Sequence, residues 1–167
     1  MNSETYVECG VKKKNQTDAT WKRGLLILGC FVCLFILPAI SWFLVPVSGG
    51  FFAYTIYEWP RLNIEWEYVY VDGQIDFDKI MGKVKRKNKL RIDLSQVEVV
   101  APLHSHELDS YQNKNMKVKN FTSGDRDVKP YVMIGTYKEE LVKIYFEPND
   151  KMKTAMKLKA PRKVFEC

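Results

Sequence analysis

Apolar and polar positions divide this chain into two unlike parts. From Gly24 to Tyr57 it runs 34 residues without one Asp, Glu, Lys, Arg, His, Asn or Gln. From Asn63 onward, apolar residues recur at every second position between turn-forming dipeptides. The first pattern suits a hydrocarbon environment, the second half-buried β-strands.

As a single helix the apolar run would extend ~50 Å, against a hydrocarbon core of roughly 30 Å. Pro38, Pro46 and the pair Gly49-Gly50 punctuate it. Proline removes a backbone donor and a glycine pair loosens the chain, so both suit a bend or turn. Trp21, Lys22 and Arg23 stand before the run with Lys12, Lys13 and Lys14 upstream; Tyr54, Tyr57, Trp59 and Arg61 mark its end. Interfacial aromatics and cytoplasmic basic residues have this arrangement. The pattern predicts a cytoplasmic N-terminal segment over 1–20. A transmembrane hairpin follows over 21–60, with spans of about 21–40 and 43–59. An even number of crossings places both termini in the cytoplasm, in a multi-pass protein of the cell membrane. Set against it is one kinked helix with the following domain outside. A cleavable signal peptide is not expected, because the run starts late and exceeds the ~7–15 residues of an h-region.

The second part predicts a β-rich domain over 63–167. Ile64–Val71 alternates, and Asp72-Gly73 suits a type I′ turn into Gln74–Ile80. Lys89–Leu94 alternates again, and Gln96–Ala101 is stopped by Pro102. Residues 103–129 are polar and predict a long loop with a short strand near Met116–Asn120. Tyr131–Tyr137 and Leu141–Phe146 form another hairpin about Lys138-Glu139-Glu140. Pro148-Asn149-Asp150 starts a helix with Met152, Ala155 and Met156 at i, i+3 and i+4, ended by Ala160-Pro161. Six or seven strands in consecutive hairpins with one closing helix resemble a pleckstrin-homology-like antiparallel sandwich. The α+β alternative is a plain sheet with the helix across one face.

Composition adds compartment and charge. The net charge is +6, a mild basic excess that suits anionic headgroups and an ordinary surface alike. Of the four cysteines, Cys30 and Cys33 lie in the apolar run, and Cys9 and Cys167 lie near the ends. No pair falls within the β-rich part, which fits a reducing compartment. Cys30 and Cys33 have C-x-x-C spacing but only apolar neighbours, so they read as helix-packing fillers.

Candidate chemistry is sparse. Lys83, Lys85, Arg86, Lys87, Lys89 and Arg91 place six basic residues within nine, read as a hairpin loop that could contact anionic headgroups. The competing reading is a solvated edge whose lysines discourage strand-to-strand aggregation. Nucleic acid is not expected, because the run lacks interleaved stacking aromatics. His104-Ser105-His106 has no third histidine and follows Pro102, so it reads as a surface loop with no metal. Asp125 and Asp127 beside Ser123-Gly124 read as turn formers. No nucleophile–base pair, phosphate-cradling glycine loop or cofactor motif occurs, so neither catalysis nor a cofactor is expected.

The chain resembles a family of small uncharacterised two-span membrane proteins of anaerobic Gram-positive bacteria that carry a domain of unknown function. The resemblance rests on residues 1–8, the double apolar span, Ile64-Glu65-Trp66-Glu67-Tyr68 and Asp76-Phe77-Asp78-Lys79-Ile80. It continues through Lys85-Arg86-Lys87, Val100-Ala101-Pro102 and Phe121-Thr122-Ser123-Gly124. The C-terminal match comprises residues 146–152, Met156-Lys157 and Pro161-Arg162-Lys163-Val164. It implies membrane location and supplies no catalytic residues. The expected function is a binding or scaffold domain presented to the cytoplasm at the plasma membrane. Its partners would be the bilayer, with anionic headgroups or another membrane protein. The alternatives are an accessory subunit of a larger membrane complex and a lipid sensor acting through the basic run.

Overall fold

The computed structural model describes residues 5–14, 17–83 and 85–165. Residues 1–4 of the N-terminal motif, Val84 within the basic run and Cys167 lie outside them. The chain forms two compact units, a β-rich one from residues 1–14, 65–79 and 87–167, and a helical one from residues 15–64 and 80–86.

The β-rich unit begins earlier than the hydropathy pattern suggests. Tyr6–Lys12 forms strand β1 and pairs antiparallel with β2, Ile64–Val71, from Tyr6↔Val71 to Lys12↔Glu65. The segment expected outside the domain therefore supplies one of its strands, and the helical segment is an insertion between two paired strands. Next come β3 (Gln74–Met81), β4 (Lys85–Asp93) and β5 (Val97–Pro102), then β6 (Lys117–Asn120), β7 (Tyr131–Tyr137) and β8 (Glu140–Phe146). One sheet has the order β1-β2-β3-β4 and the other β5-β7-β8-β6.

Two-residue turns set much of this register. Asp72 and Gly73 have φ of 43° and 100°, and Lys138 and Glu139 have φ of 52° and 65°. Positive φ at both central positions gives the twist that matches paired antiparallel strands. One departure from an all-antiparallel sandwich is β6, which runs parallel to β8 from Lys117↔Val142 to Asn120↔Tyr145. The chain leaves β5 through a 3-10 turn, His106–Tyr111, and re-enters at the far edge of the sheet.

Alternation along the strands builds one core. Tyr68, Tyr70, Ile75, Phe77, Leu90 and Ile92 come from the first sheet; Val100, Met133, Val142, Ile144 and Phe146 come from the second. Helix α4, Asp150–Lys159, adds the predicted Met152, Ala155 and Met156, all buried. Its N-cap is Asn149, whose side chain accepts from the Met152 N–H at 2.8 Å. Such a cap is worth about 1 kcal/mol against alanine. Phe77 stacks on Phe121 with centroids 4.8 Å apart, while Phe146 meets Tyr68 and Phe77 edge-on.

The expected 103–129 loop does more than connect. Leu108 is buried, and Leu103, Tyr111 and Met116 pack with Val99, Ala101, Val132 and Ile134 on the second sheet's other face. That sheet therefore has apolar cover on both faces. The tail closes its edge, with Val100 N–H donating to Lys163 O and Phe165 N–H to Val100 O.

The helical unit is interrupted at Ser41. Helix α1 (Thr17–Phe31) continues through a π-turn at Val32–Ile36 into α2 (Leu37–Ile40). Leu37 N–H bonds Val32 O, five residues back, just before the proline that lacks a donor. Ser41 is extended, Trp42–Leu44 makes a 3-10 turn, and α3 spans Val45–Glu58 before a final turn, Trp59–Leu62. Contacts between the two runs pair in opposite sequence order, so the runs are antiparallel. A Cβ on Gly29 would lie 2.6 Å from the Phe51 ring. The Cys30 thiol donates to Thr55 Oγ1 at 3.4 Å, Ser48 Oγ donates to the Cys33 carbonyl, and Arg23 donates to Asn63 at the base. Cys30 thus contributes its thiol, and Cys33 its backbone carbonyl, to the contacts between the two runs. Among the described residues one stretch, Ala19–Ile36, is long and apolar enough to cross a bilayer, and it is almost wholly unburied by protein. Helix α3 has 14 residues, about 21 Å at the α-helical rise, less than a full hydrocarbon crossing.

Candidate membrane-interface site

The basic run is a strand rather than a loop. Lys83 sits in the β3–β4 turn with φ of 61°, but Lys85, Arg86, Lys87, Lys89 and Arg91 all lie on β4, an edge strand. Strand geometry disperses a cluster that a loop could have gathered. Lys83, Lys85 and Arg86 belong to the helical unit; Lys87, Lys89 and Arg91 belong to the β-rich unit.

In the β-rich unit, Arg91 points away from its buried neighbours Leu90 and Ile92. It meets Asp76 through two hydrogen bonds, Nε–Oδ1 at 2.6 Å and Nη2–Oδ2 at 2.7 Å. This bidentate pair holds the guanidinium above its usual pKa, first by hydrogen bonding and then by charge. Asn88 likewise donates to Asp78 at 2.8 Å. Lys79, outside the predicted set, has its pKa lowered by burial and then by Lys89, Lys13 and Lys87. Lys79 on β3, Lys87 and Lys89 on β4, and Lys13 just after β1 thus disfavour one another's charge. No local pattern signals this convergence, because Lys13 and Lys79 are distant along the chain.

In the helical unit two basic residues face one ring. The Arg61 guanidinium lies 3.9 Å and the Lys85 ammonium 5.2 Å from the Tyr57 centroid. Arg61 Nη1 donates to Glu58 Oε1 at 2.7 Å, and Nη2 donates to the Tyr57 hydroxyl. The β3–β4 turn is fastened to the same corner: Gly82 N–H donates to Asn63 O at 2.9 Å. A Cβ on Gly82 would lie 2.7 Å from Pro60 Cα and 2.8 Å from Pro60 O, so only glycine permits this approach. The sequence marks Tyr57 and Arg61 at the end of the apolar run, and nothing in it pairs them with Lys85.

The other candidate residues have local roles. His106 is fully exposed with Nδ1 3.2 Å from Asp109 Oδ2, and exposed His104 lies in the preceding turn. No group of three or more His, Cys, Asp or Glu able to hold a metal occurs among the described residues. Ser123 donates its hydroxyl and N–H to Glu147 Oε1 at 2.8 and 2.9 Å, while Asp125 takes Lys14 at 2.6 Å. These turn residues fasten the end of β1 to the second sheet. A groove of about 510 Å³ beside the end of α4 is lined by Asp72, Asp93, Lys159 and Lys163. Lys159 is paired with Asp72 at 2.9 Å, and Lys163 donates to the Leu94 and Ser95 carbonyls.

Comparison with known proteins gives a family and no activity. Neither curated proteins nor solved structures yield a match. The sequence model described as "Bacterial PH-like domain (DUF6106)" matches residues 3–166, which include the N-terminal strand, the helical insertion and the closing helix. The chain belongs to this bacterial PH-like domain family.

Proposed function

We propose that this chain is an integral membrane protein whose helical insertion crosses the bilayer twice. It presents a PH-like binding or scaffold module, without enzymatic activity, at the cytoplasmic face. The observation that carries this reading is the β1–β2 ladder. Strands on either side of the helical insertion share one sheet, which supports an insertion that leaves and returns on the same side of a bilayer. A single crossing would separate Cys9 from Tyr68, which are opposite one another in that ladder.

Two further observations support it. The insertion exposes large apolar residues that water would penalise, with Phe43 91% and Trp42 80% exposed at the break between the two runs. Ser48, Thr55 and Cys30 make their hydrogen bonds within the insertion, as suits a low-dielectric surrounding. The shortness of α3 is met by bilayer thinning or by the flanking 3-10 turns. Lys12, Lys13, Lys14, Lys22 and Arg23 favour the cytoplasmic side for the sheet. A role as accessory subunit has its own support. A Cβ on Gly24, Gly49 or Gly50 would meet nothing within 4 Å, leaving notches where another membrane helix could pack.

Alkaline carbonate extraction of membranes containing the full chain tests the membrane reading. Retention in the pellet is expected, and release with peripheral proteins would contradict it.

A further inference from the structure

The corner around Tyr57 carries more positive charge than the protein neutralises. Two cations face one ring, Arg61 at 3.9 Å and Lys85 at 5.2 Å, and the carboxylate of Glu58 is matched to Arg61. Lys85 and the exposed Lys83 have no carboxylate partner among the described residues. The turn cannot simply swing away, because the Gly82–Asn63 hydrogen bond and the contact of Gly82 with Pro60 hold it against the end of α3. Just N-terminal to this corner, Tyr54 and Ile56 expose 53% and 60% of their surface. A fixed excess of cations therefore adjoins an exposed apolar helix surface, both within the helical unit.

We propose that this corner binds the phosphate of an anionic bilayer lipid, with Lys83 and Lys85 as cationic donors and the Tyr57 ring, braced by Arg61, as the wall. The site rests on the membrane reading above. A phospholipid satisfies both halves of the surface at once: its phosphate offsets the unmatched ammonium groups, and its acyl chains cover the helix. A free phosphate or an acidic peptide would leave the apolar half exposed. Lys87, Lys89 and Arg91 are not part of this site, since they lie in the other unit and Arg91 is held by Asp76. Sequence proximity alone would have treated all six basic residues as equivalent.

Native mass spectrometry of the full chain, released from mixed micelles of phosphatidylglycerol and phosphatidylcholine, reads this directly. The parent chain is expected to retain phosphatidylglycerol preferentially. The double substitution Lys83→Gln/Lys85→Gln should lower the retained phosphatidylglycerol about tenfold or more, given roughly fivefold per well-placed cation. Arg91→Gln should retain it as the parent does. Glycerol 3-phosphate, which offers the phosphate without acyl chains, should fail to displace it. Unchanged retention in the double variant, or full displacement by glycerol 3-phosphate, would overturn the site. Carbonate extraction of the same variants separates the two failures: pellet retention with unchanged lipid binding sinks only the site, while release into the supernatant sinks the membrane reading.

Discussion

Cys9 and Tyr68 face each other across the β1–β2 ladder, although the whole helical insertion lies between them in the chain. Cys9 is buried, and its thiol sits 3.6 Å from the Glu147 carbonyl. Burial raises its pKa above the ordinary thiol value, with the nearby Glu147 charge adding to the rise. The thiolate is the reactive form, so Cys9 should resist alkylation while the sheet is intact. At pH 8, peptide-level mass spectrometry should find Cys9 modified more slowly in the folded chain than in denaturant, by at least about tenfold. Equal rates in the two conditions would show that β1 is not paired.

Tyr68 also fixes the interior of the sandwich. Its hydroxyl donates to the Phe121 carbonyl at 2.6 Å in a fully buried setting, and burial pushes its pKa far above the usual tyrosine value. Tyr68→Phe keeps the ring contacts with Phe77 and Phe146 but leaves that carbonyl without this donor. The expected cost is about 1–2 kcal/mol, measured as a lower denaturation midpoint with an unchanged slope. A change within error of zero would mean that the hydrogen bond contributes nothing net.

Acid sensitivity should come in part from Asp93. Its carboxylate is held below the usual range, first by the Ser95 backbone N–H at 2.7 Å and then by the Ser95 hydroxyl. A carboxyl whose pKa is depressed by folding stabilises the protein above its unfolded pKa, near ~3.9, and loses that contribution as pH falls through the folded value. Asp93→Asn should therefore flatten the decline in stability between neutral and acid pH while leaving the fold intact. An unaltered pH profile from denaturant titrations would refute this assignment.

The legible parts of the fold were those with local signals. Asp72-Gly73 and Lys138-Glu139 lie between strands that alternate strongly, so each hairpin could be read without its surroundings. Asn149 with Met152, Ala155 and Met156 gave both the start and the buried face of α4. Strand β1 was missed for a physical reason. Val7, Cys9 and Val11 alternate inward, but the stretch is short and its partner lies beyond the apolar run, which local periodicity cannot reveal. The N-terminal half of β4 reads as a loop in sequence because all of Lys85–Lys89 is exposed and offers no inward apolar residue. Pairing with β3 decides its conformation. Leu108 is isolated among polar residues and becomes buried only because the second sheet has an apolar outer face. The cation corner depends on Tyr57 meeting Lys85 across the fold, which no spacing in the sequence encodes.

In the proposed membrane arrangement the helical insertion goes out and comes back, leaving β1 and the rest of its sheet on one side. Single cysteines at exposed positions test it in intact cells with a membrane-impermeant maleimide, each compared with the parent chain. Trp42→Cys lies at the break between the helical runs, Lys12→Cys ends β1, and Asn113→Cys lies in the β-rich unit. Added labelling is expected at position 42 in intact cells, and at positions 12 and 113 only after permeabilisation. Labelling that places positions 12 and 113 on opposite sides of the membrane would contradict it.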